Sequence, residues 1–345
     1  MKKSPAAGSP TQPSYRINRV QALACLLLAC LLLSLLSLAL GARAMSLTSL
    51  LDYLRGTNLN PADQAVFSQR ALRTLTAGLV GAALGLAGAG IQGITRNPLG
   101  DPGILGINAG AACAVVCAIS FAAADSTADF ALWAFIGALA SALAVYALAS
   151  LGPAGPTPIK LALMGAALSA GLGAISSALI LTDQNSLDNL RRWQVGTVAG
   201  SDLSDLAVAG PLLALGAGIL LTGARTINSL ALGDDMASAL GERVALRRLL
   251  LTLAVTLLVG TSLALAGPIA FLGLMAPHLM RSLIGVDYCF LLPYSALAGA
   301  ALLILADTLG RSLVRPQEMP VGIMMVLLGA PLFIYLVRRG KAVNL

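Results

Sequence analysis

Charged side chains are scarce in this chain of 345 residues. Only 11% of the residues are Asp, Glu, Lys or Arg, against about 25% in ordinary soluble domains, while 57% are hydrophobic. This composition excludes a soluble globular protein. The formal net charge of +7 would suit nucleic acid, but the positive residues are spread among the segments between apolar runs. We therefore expect membrane lipid, and no nucleic acid, around this chain.

The sequence also lacks the groups that enzymes and ATPases use. It has one histidine, His278, and no GxxxxGK[ST], HExxH or GxSxG motif. We therefore predict no catalytic residue, no metal site and no cofactor in this chain. A haem-iron or proton-relay role for His278 is conceivable, but its place beside Arg281, near the end of an apolar run, favours packing or helix capping.

The five cysteines form no pattern typical of a disulfide or a metal site. Cys25, Cys30, Cys113 and Cys117 fall in apolar runs, Cys289 lies just before one, and no CxxC occurs. Small buried cysteines usually serve packing, which is the role we expect.

Long apolar runs are what the sequence has instead, and about 20 apolar residues suffice to cross a bilayer as a helix. We predict an all-α polytopic membrane protein of about ten transmembrane helices in one domain, residues 20–345, after a disordered cytoplasmic tail, residues 1–19. The predicted spans are Val20–Gly41, Val66–Gly93, Gly103–Ala123, Asp129–Ser150, Ile159–Thr182, Ser204–Gly223, Ala245–Gly267, Ile269–Ile284, Leu291–Gly310 and Pro320–Val337.

The first span could be mistaken for a signal peptide, because Ala42-Arg43-Ala44 fits a cleavage site. The run exceeds the usual h-region of about 7–15 residues and further spans follow, so we favour a retained helix. Lys and Arg are more frequent in segments on the side of the N-terminus, which places both termini in the cytoplasm.

The longest polar interruption in the second half is ARTINSLALGDDMASALGERVALRR, residues 224–248. It predicts two short helices joined by a bend. The signals are a cap at Asn228 or Ser229, a stop at Gly233, a start at Asp234 and Asp235, and a stop at Gly241. Since the spans carry few of the charges that ion-coupled transporters need, we predict that another protein supplies the energy and acts on this hairpin.

Two groups of charged residues stand out on the predicted outer side. Arg70 and Arg73 begin the second span, where snorkelling to lipid headgroups and docking of an acidic partner are both possible. Asp307 and Arg311 have the i,i+4 spacing of an internal ion pair, which is our prediction for them.

Small-residue segments suggest close helix packing and a weak internal repeat. Leu86-Ala87-Gly88 precedes Pro98 as Leu265-Ala266-Gly267 precedes Pro277, with an offset of five spans. An odd offset reverses direction, so the pattern suggests an inverted repeat of spans two to five and seven to ten. Asn108 and the polar face of Ser169 and Ser176 could line a pathway or simply pack.

Five segments, which follow one another over about residues 67–339, carry a family resemblance. They are LAGAGIQGITRNPLGDPGILGINAG, NSLALGDDMASALG, AGPIAFLGLMAPHLMR, LLPYSALAGAALLILADTLGR and EMPVGIMMVLLGAPLFIYLVRR. They resemble the membrane permeases of bacterial iron–siderophore, haem and vitamin B12 ABC importers. RRWQVGTVAG with NSLALGDDMASALG is most similar to the ferric-siderophore branch, such as ferric enterobactin permease subunits.

The resemblance implies a ten-helix permease in a bacterial inner membrane that pairs with an identical copy or a paralogue. ATP and Mg²⁺ would bind a cytoplasmic ATPase dimer, which seats on coupling helices at about residues 226–243. The implied coupling residues are Ser229, Leu230, Leu232, Gly233, Asp234, Asp235, Ala239, Leu240 and Gly241. Arginines at the positions of Arg70, Arg73 and Arg311 would pair with glutamates of a substrate-binding protein. The resemblance implies no such role for Arg315.

The predicted function is therefore import of an iron–siderophore complex by alternating access along the axis between two permeases. Candidate lining residues are Asn108, Ser169, Ser176, Met324 and Met325. A haem or cobalamin permease of the same family is the alternative for substrate. An ATP-independent channel or secondary carrier is the alternative of a different class.

Overall fold

The computed structural model describes residues 18–338, except 42, 44, 57–59, 123, 125, 153–154, 183–187, 189, 192 and 315. Nearly all of the predicted N-terminal tail, and Arg315, therefore lie outside the described residues. Within that part of the chain there are thirteen α-helices and no strand. The helices are α1 (Arg19–Ala39), α2 (Leu47–Arg55), α3 (Pro61–Thr95), α4 (Ile107–Ala122), α5 (Thr127–Ala149), α6 (Pro158–Thr182), α7 (Leu203–Thr222), α8 (Ala224–Ala231), α9 (Asp234–Ala239), α10 (Val244–Ala266), α11 (Leu272–Ile284), α12 (Tyr288–Leu313) and α13 (Val321–Arg338).

Each of the ten predicted spans coincides with a helix. Seven of them, α1, α3, α5, α6, α7, α10 and α12, are long and apolar enough to cross a membrane on their own. The other three, α4, α11 and α13, are shorter. The prediction of an all-α polytopic membrane protein is confirmed.

Helix α3 is the centre of the bundle, with 35 residues and a length of about 52 Å at 1.5 Å per residue. Glycines on one face let its backbone touch its neighbours. A Cβ at Gly88 would lie 2.0 Å from the carbonyl oxygen of Gly273 in α11, and one at Gly85 would lie 2.2 Å from that of Ser295 in α12. The predicted tight packing of small residues is present here.

Some helices begin later or earlier than the apolar runs suggest. Helix α3 starts at Pro61, behind an Asn60 cap, five residues before the predicted span. Helix α11 starts only at Leu272, because Gly267 and Phe271 both have positive φ, 68° and 66°. The inverted repeat stays a prediction, since Gly88 lies inside α3 whereas Gly267, its counterpart in sequence, ends α10.

Helix α2 was not predicted and lies within what the sequence suggested was a loop. The sequence contains capping residues at both ends of this helix. The Ser46 side chain accepts from the amide of Ser49, and Gly56 closes the last turn in the left-handed conformation. Ser and Gly are the preferred residues at these two positions.

The bundle has two polar ends that α3 connects. We call the end that carries α8 and α9 the hairpin end. We call the other the arginine end, where Arg70, Arg73 and Arg311 lie. Arg73 is in the first half of α3, and Arg96 follows its last residue and contacts the hairpin.

Candidate functional site

The polar hairpin consists of α8 and α9, as predicted, joined at Gly233. The backbone there has φ 121°, and Gly241 after α9 has φ 87°. No atom lies within 4 Å of a Cβ placed at either glycine. The two turns are therefore open to solvent and adopt conformations that glycine tolerates best.

The predicted cap of the first hairpin helix is wrong. Helix α8 begins at Ala224, with only Gly223 separating it from α7, so Asn228 lies inside the helix. Its amide nitrogen donates to Asp287 Oδ1 at 2.8 Å, and its amide oxygen accepts from the backbone of Tyr288 at 2.9 Å. The hydrogen bond from Asn228 lowers the pKa of Asp287. Asn228 therefore fixes α8 to the start of α12.

The hairpin has one face against the bundle and another toward solvent. Ile227, Leu230 and Ala237 are fully buried. Leu232 and Leu240 are 65% and 62% exposed, and Met236 is also exposed. These three apolar side chains form an exposed hydrophobic patch on an otherwise polar hairpin.

The predicted coupling residues divide between these two faces. Leu230 holds the hairpin to the bundle, so its side chain is not available for contact with another protein. Asp235, Ala239 and Gly241 are exposed, whereas Ser229 and Gly233 are partly exposed.

A cluster of one carboxylate and two guanidinium groups fastens the hairpin, and we call it the hairpin-end cluster. Asp234 Oδ1 accepts from Arg96 Nη2 and, at 2.7 Å, from Arg248 Nη2. Arg96 Nε also donates to the carbonyl of Leu230 at 2.8 Å, and Arg248 Nη1 to that of Pro156 at 2.7 Å. Burial lowers the pKa of Arg96, and the charge of Arg248 lowers it further.

A cavity of about 530 Å³ lies beside this cluster. The hairpin residues from Leu232 to Met236 form one wall, and Thr157, Pro158 and Ile159 at the start of α6 form the other. The tip of the hairpin is therefore separated from α6 by open space.

The arginine end has a second cluster of the same composition, the arginine-end cluster. Arg73 donates to Asp307 Oδ1 through Nε at 2.9 Å and through Nη2 at 2.8 Å. Arg311 Nε lies 3.0 Å from Asp307 Oδ2, which confirms the predicted i,i+4 pair. Arg73 also forms an ion pair with Glu318.

Two of the three predicted docking arginines are buried inside this end. Arg311 Nη2 donates to Ser37 Oγ at 2.6 Å. Arg70 Nη1 donates to the carbonyls of Leu38 and Ala39 at 2.9 and 3.1 Å, at the end of α1. Carbonyls at a helix C-terminus lack partners within the helix, and Arg70 satisfies them. Snorkelling to lipid therefore does not describe Arg70.

A cavity of about 370 Å³ lies among these residues. Four arginines and one carboxylate contribute to its walls, so the charge around it is positive. Its charged lining residues are Arg43, Arg70, Arg73, Arg311 and Glu318.

The predicted pathway residues do not meet in one place. Asn108 is exposed and lines a cavity with Asp101 and Ser262. Ser169 is partly exposed on α6, and Ser176 is nearly buried, with its hydroxyl bound to the carbonyl of Leu172.

Met324 and Met325 are buried in α13, so they do not line an open path in this conformation. Helix α6 instead presents a bare face, since nothing lies within 4 Å of a Cβ at Gly171 or Gly173.

The most informative side chains that the sequence did not single out are Arg96, Arg248 and Glu318. The partners of these three residues lie 14 to 245 positions away in the chain. Spacing within one helix therefore could not predict the contacts. Within the described residues, no group of three or more His, Cys, Asp or Glu side chains could hold a metal. His278 is partly exposed on α11, three residues before the buried Arg281.

Comparison with known proteins gives matches along nearly the whole chain. The model of the FecCD transport family matches residues 27–339. The ferric enterobactin transport system permease protein FepD of Escherichia coli (strain K12) is 42% identical over 327 residues, which cover 94% of this chain and 97% of that protein. The hemin transport system permease protein HmuU of Yersinia pestis is 40% identical over 325 residues, 92% of this chain and 96% of that protein.

A solved structure agrees with these matches. It is described as an inward-facing conformation of a metal-chelate type ABC transporter, and it superposes with a TM-score of 0.80 at 33% identity. The match covers 93% of this chain and 99% of that one.

Proposed function

The chain belongs to the FecCD transport family, and we propose on that premise that it is the permease subunit of an ATP-driven importer of iron–siderophore complexes. The observation that carries this proposal is the hairpin of α8 and α9. Its exposed leucines and methionine extend from a bundle whose spans hold few charges.

The hairpin serves as the seat for a cytoplasmic ATPase dimer. Leu232, Met236 and Leu240 are the contacts we assign to the partner, because burying their apolar surface would stabilise the complex. ATP and Mg²⁺ bind on that partner, and this chain supplies no catalytic group.

This assignment orients the protein in the bacterial inner membrane. The hairpin end is cytoplasmic, and the arginine end faces outward. Helix α1 runs from the hairpin end, where the hydroxyl of Tyr294 bonds to the carbonyl of Arg19, to the arginine end at Ser37. That direction supports a cytoplasmic N-terminus.

The arginine end receives a substrate-binding protein through acidic side chains. Positive charge around a cavity of about 370 Å³ attracts a carboxylate and steers its approach. Arg73 is the residue best placed for this role, since its side chain retains some exposure while Arg70 and Arg311 are buried.

Substrate crosses between two permease subunits as the pair alternates between outward-open and inward-open states. The bare face of α6, with Ser169 beside it, is the surface we assign to this axis. The second subunit is an identical copy or a paralogue. Ser176, Met324 and Met325 are buried and would join the lining only if the helices around them separate. Asn108 is exposed but lines a different cavity.

The substrate assignment follows FepD, while the near-equal identity of HmuU keeps haem as the second candidate. Cobalamin is a third candidate within the family. An ATP-independent channel or secondary carrier would lack a use for the exposed hairpin.

The test is uptake by proteoliposomes that contain this chain with its ATPase and its binding protein. Radiolabelled ferric siderophore, haem and cobalamin are offered separately, with ATP or a non-hydrolysable analogue. We expect ATP-dependent uptake of ferric siderophore alone.

Two variants separate the roles of the two ends. Leu232→Asp with Leu240→Asp should abolish association with the ATPase, because charges replace its apolar contacts. Arg73→Gln, which adds no carboxylate beside Asp307 and Glu318, should weaken association with the binding protein while leaving the ATPase bound, and thermal unfolding in detergent verifies that this variant is folded. Equal uptake without ATP and without binding protein would overturn the proposed function.

A further inference from the structure

One uninterrupted helix connects the two ends of the molecule. Helix α3 carries Arg73 at the arginine end and is followed directly by Arg96 at the hairpin end, about 35 Å away along its axis at 1.5 Å per residue. No proline follows Pro61 at its first position, so α3 has no proline kink between Arg73 and Arg96.

We propose that Asp234 is a positioning residue that transmits movement of the hairpin to α3 through Arg96. This inference rests on the proposed function, because it assigns a route for the force that an ATPase would apply to the hairpin.

Arg96 holds both helices of the hairpin at once. Its backbone leaves α3 in the left-handed conformation, φ 50°, which few residues other than glycine adopt. From that turn, Nε reaches the carbonyl of Leu230 near the end of α8, and Nη2 reaches Asp234 at the start of α9. The guanidinium therefore spans the bend at Gly233, and the two hairpin helices cannot shift together without displacing Arg96.

Arg248 gives the carboxylate a second, fixed partner. Its side chain is buried, and Nη1 is held by the carbonyl of Pro156 in the segment between α5 and α6. Asp234 thus lies between a partner at the end of α3 and a partner inside α10. Because both arginines share Oδ1, a displacement of α9 changes the balance between these two contacts.

The surroundings leave the hairpin room to move. Gly233 and Gly241 have open space around them, and the cavity of about 530 Å³ separates the hairpin tip from α6. The Asp234 side chain is 35% exposed, so water can replace an arginine when a contact opens. Such a contact can break and re-form during a transport cycle.

The experiment uses the complete transporter in proteoliposomes with three variants of this chain. Asp234→Asn removes the charge, and Asp234→Glu restores it on a longer side chain. Glu242→Gln is the matched control, since Glu242 lies just after α9 and its partners, Thr226 in α8 and Arg247 in α10, are not in α3. Affinity for the ATPase, ATP hydrolysis and ligand taken up per ATP are measured for each.

We expect Asp234→Asn to bind the ATPase within about threefold of wild type and to hydrolyse ATP, while uptake per ATP falls about tenfold or more, a coupling effect rather than a folding effect. Asp234→Glu should recover most of that loss, and Glu242→Gln should lose little. Thermal unfolding in detergent verifies that each variant is folded.

Two results would overturn the inference alone: unchanged uptake per ATP in Asp234→Asn, or a fall in ATPase affinity as large as the fall in uptake. The second result would make Asp234 a docking residue. A wild-type chain that fails to bind the ATPase would overturn the proposed function as well.

Discussion

The two ends of the bundle contain the same three charges in different surroundings. In each cluster one aspartate lies between two arginines, Arg73–Asp307–Arg311 at the arginine end and Arg96–Asp234–Arg248 at the hairpin end. The Asp307 side chain is 1% exposed, whereas that of Asp234 is 35% exposed. From composition alone, the two clusters would be expected to have the same role. Their different burial indicates different roles.

Burial decides how freely each cluster can change. Separating charges in a dry interior is costly because no water replaces the lost partner, so the arginine-end cluster fixes α3 to α12. At the hairpin end water reaches the carboxylate, and a contact can open at moderate cost. The molecule therefore has a rigid attachment at the arginine end of α3 and an adjustable attachment at the hairpin end of the same helix.

The largest effect is expected for Asp307→Asn. This change leaves Arg311 without a carboxylate and Arg73 with Glu318 alone, and it should destabilise the fold by about 3–5 kcal/mol. Thermal unfolding in detergent, together with the yield of monodisperse protein, measures the loss. A loss below about 1 kcal/mol would mean that the cluster is hydrated and would remove the contrast with the hairpin end.

A second variant separates charge imbalance from lost packing. Asp307→Leu combined with Arg311→Met removes a negative and a positive charge together. Since apolar replacements of buried ion pairs are often neutral, most of the stability lost in Asp307→Asn should return. If the double variant is as unstable as Asp307→Asn, the hydrogen bonds of Arg311 to Ser37 carry the stability instead.

A smaller loss is expected for Asp234→Asn, about 1–3 kcal/mol, because the amide oxygen of asparagine is a weaker acceptor than a carboxylate for the buried, charged Arg248. The same unfolding measurement applies, and high salt should change this value more than that of Asp307→Asn, because exposed charges are screened more. Equal losses of stability for Asp234→Asn and Asp307→Asn would show that the difference in exposure does not affect the free energy of unfolding.

The sequence could predict one pair of the arginine-end cluster and no pair of the hairpin-end cluster. Asp307 and Arg311 are four residues apart in a helix, so their pairing follows from helical geometry. The partners of Arg73 and Arg96 lie 234 and 138 positions away, and only the packing of α3 against α12 and the hairpin brings them together. Apolar runs located the ten long helices for the same reason, because they too are a local feature of the sequence.

Accessibility was the other property that the sequence could not supply. Arginines near the end of a span suggested a docking surface, but Arg70 turned inward because the end of α1 offered unpaired carbonyls. Leu230 and Leu232 are two residues apart in one hairpin, yet one is buried and the other exposed. Short helices at a bend follow no extended periodicity that would separate them.

The smallest stability effect is expected for Glu318→Gln at the rim of the arginine end. Its side chain is 39% exposed, so losing its ion pair with Arg73 should cost less than about 1 kcal/mol. The consequence for binding is larger, since Glu318 is the carboxylate beside the arginine that we assign to an acidic partner. Removing it should strengthen binding of the substrate-binding protein to the permease in nanodiscs by about two- to tenfold at low salt, and less at high salt. Weaker binding would instead mean that Glu318 orients Arg73 for docking, and the arginine end would then depend on an internal carboxylate as closely as the hairpin end does.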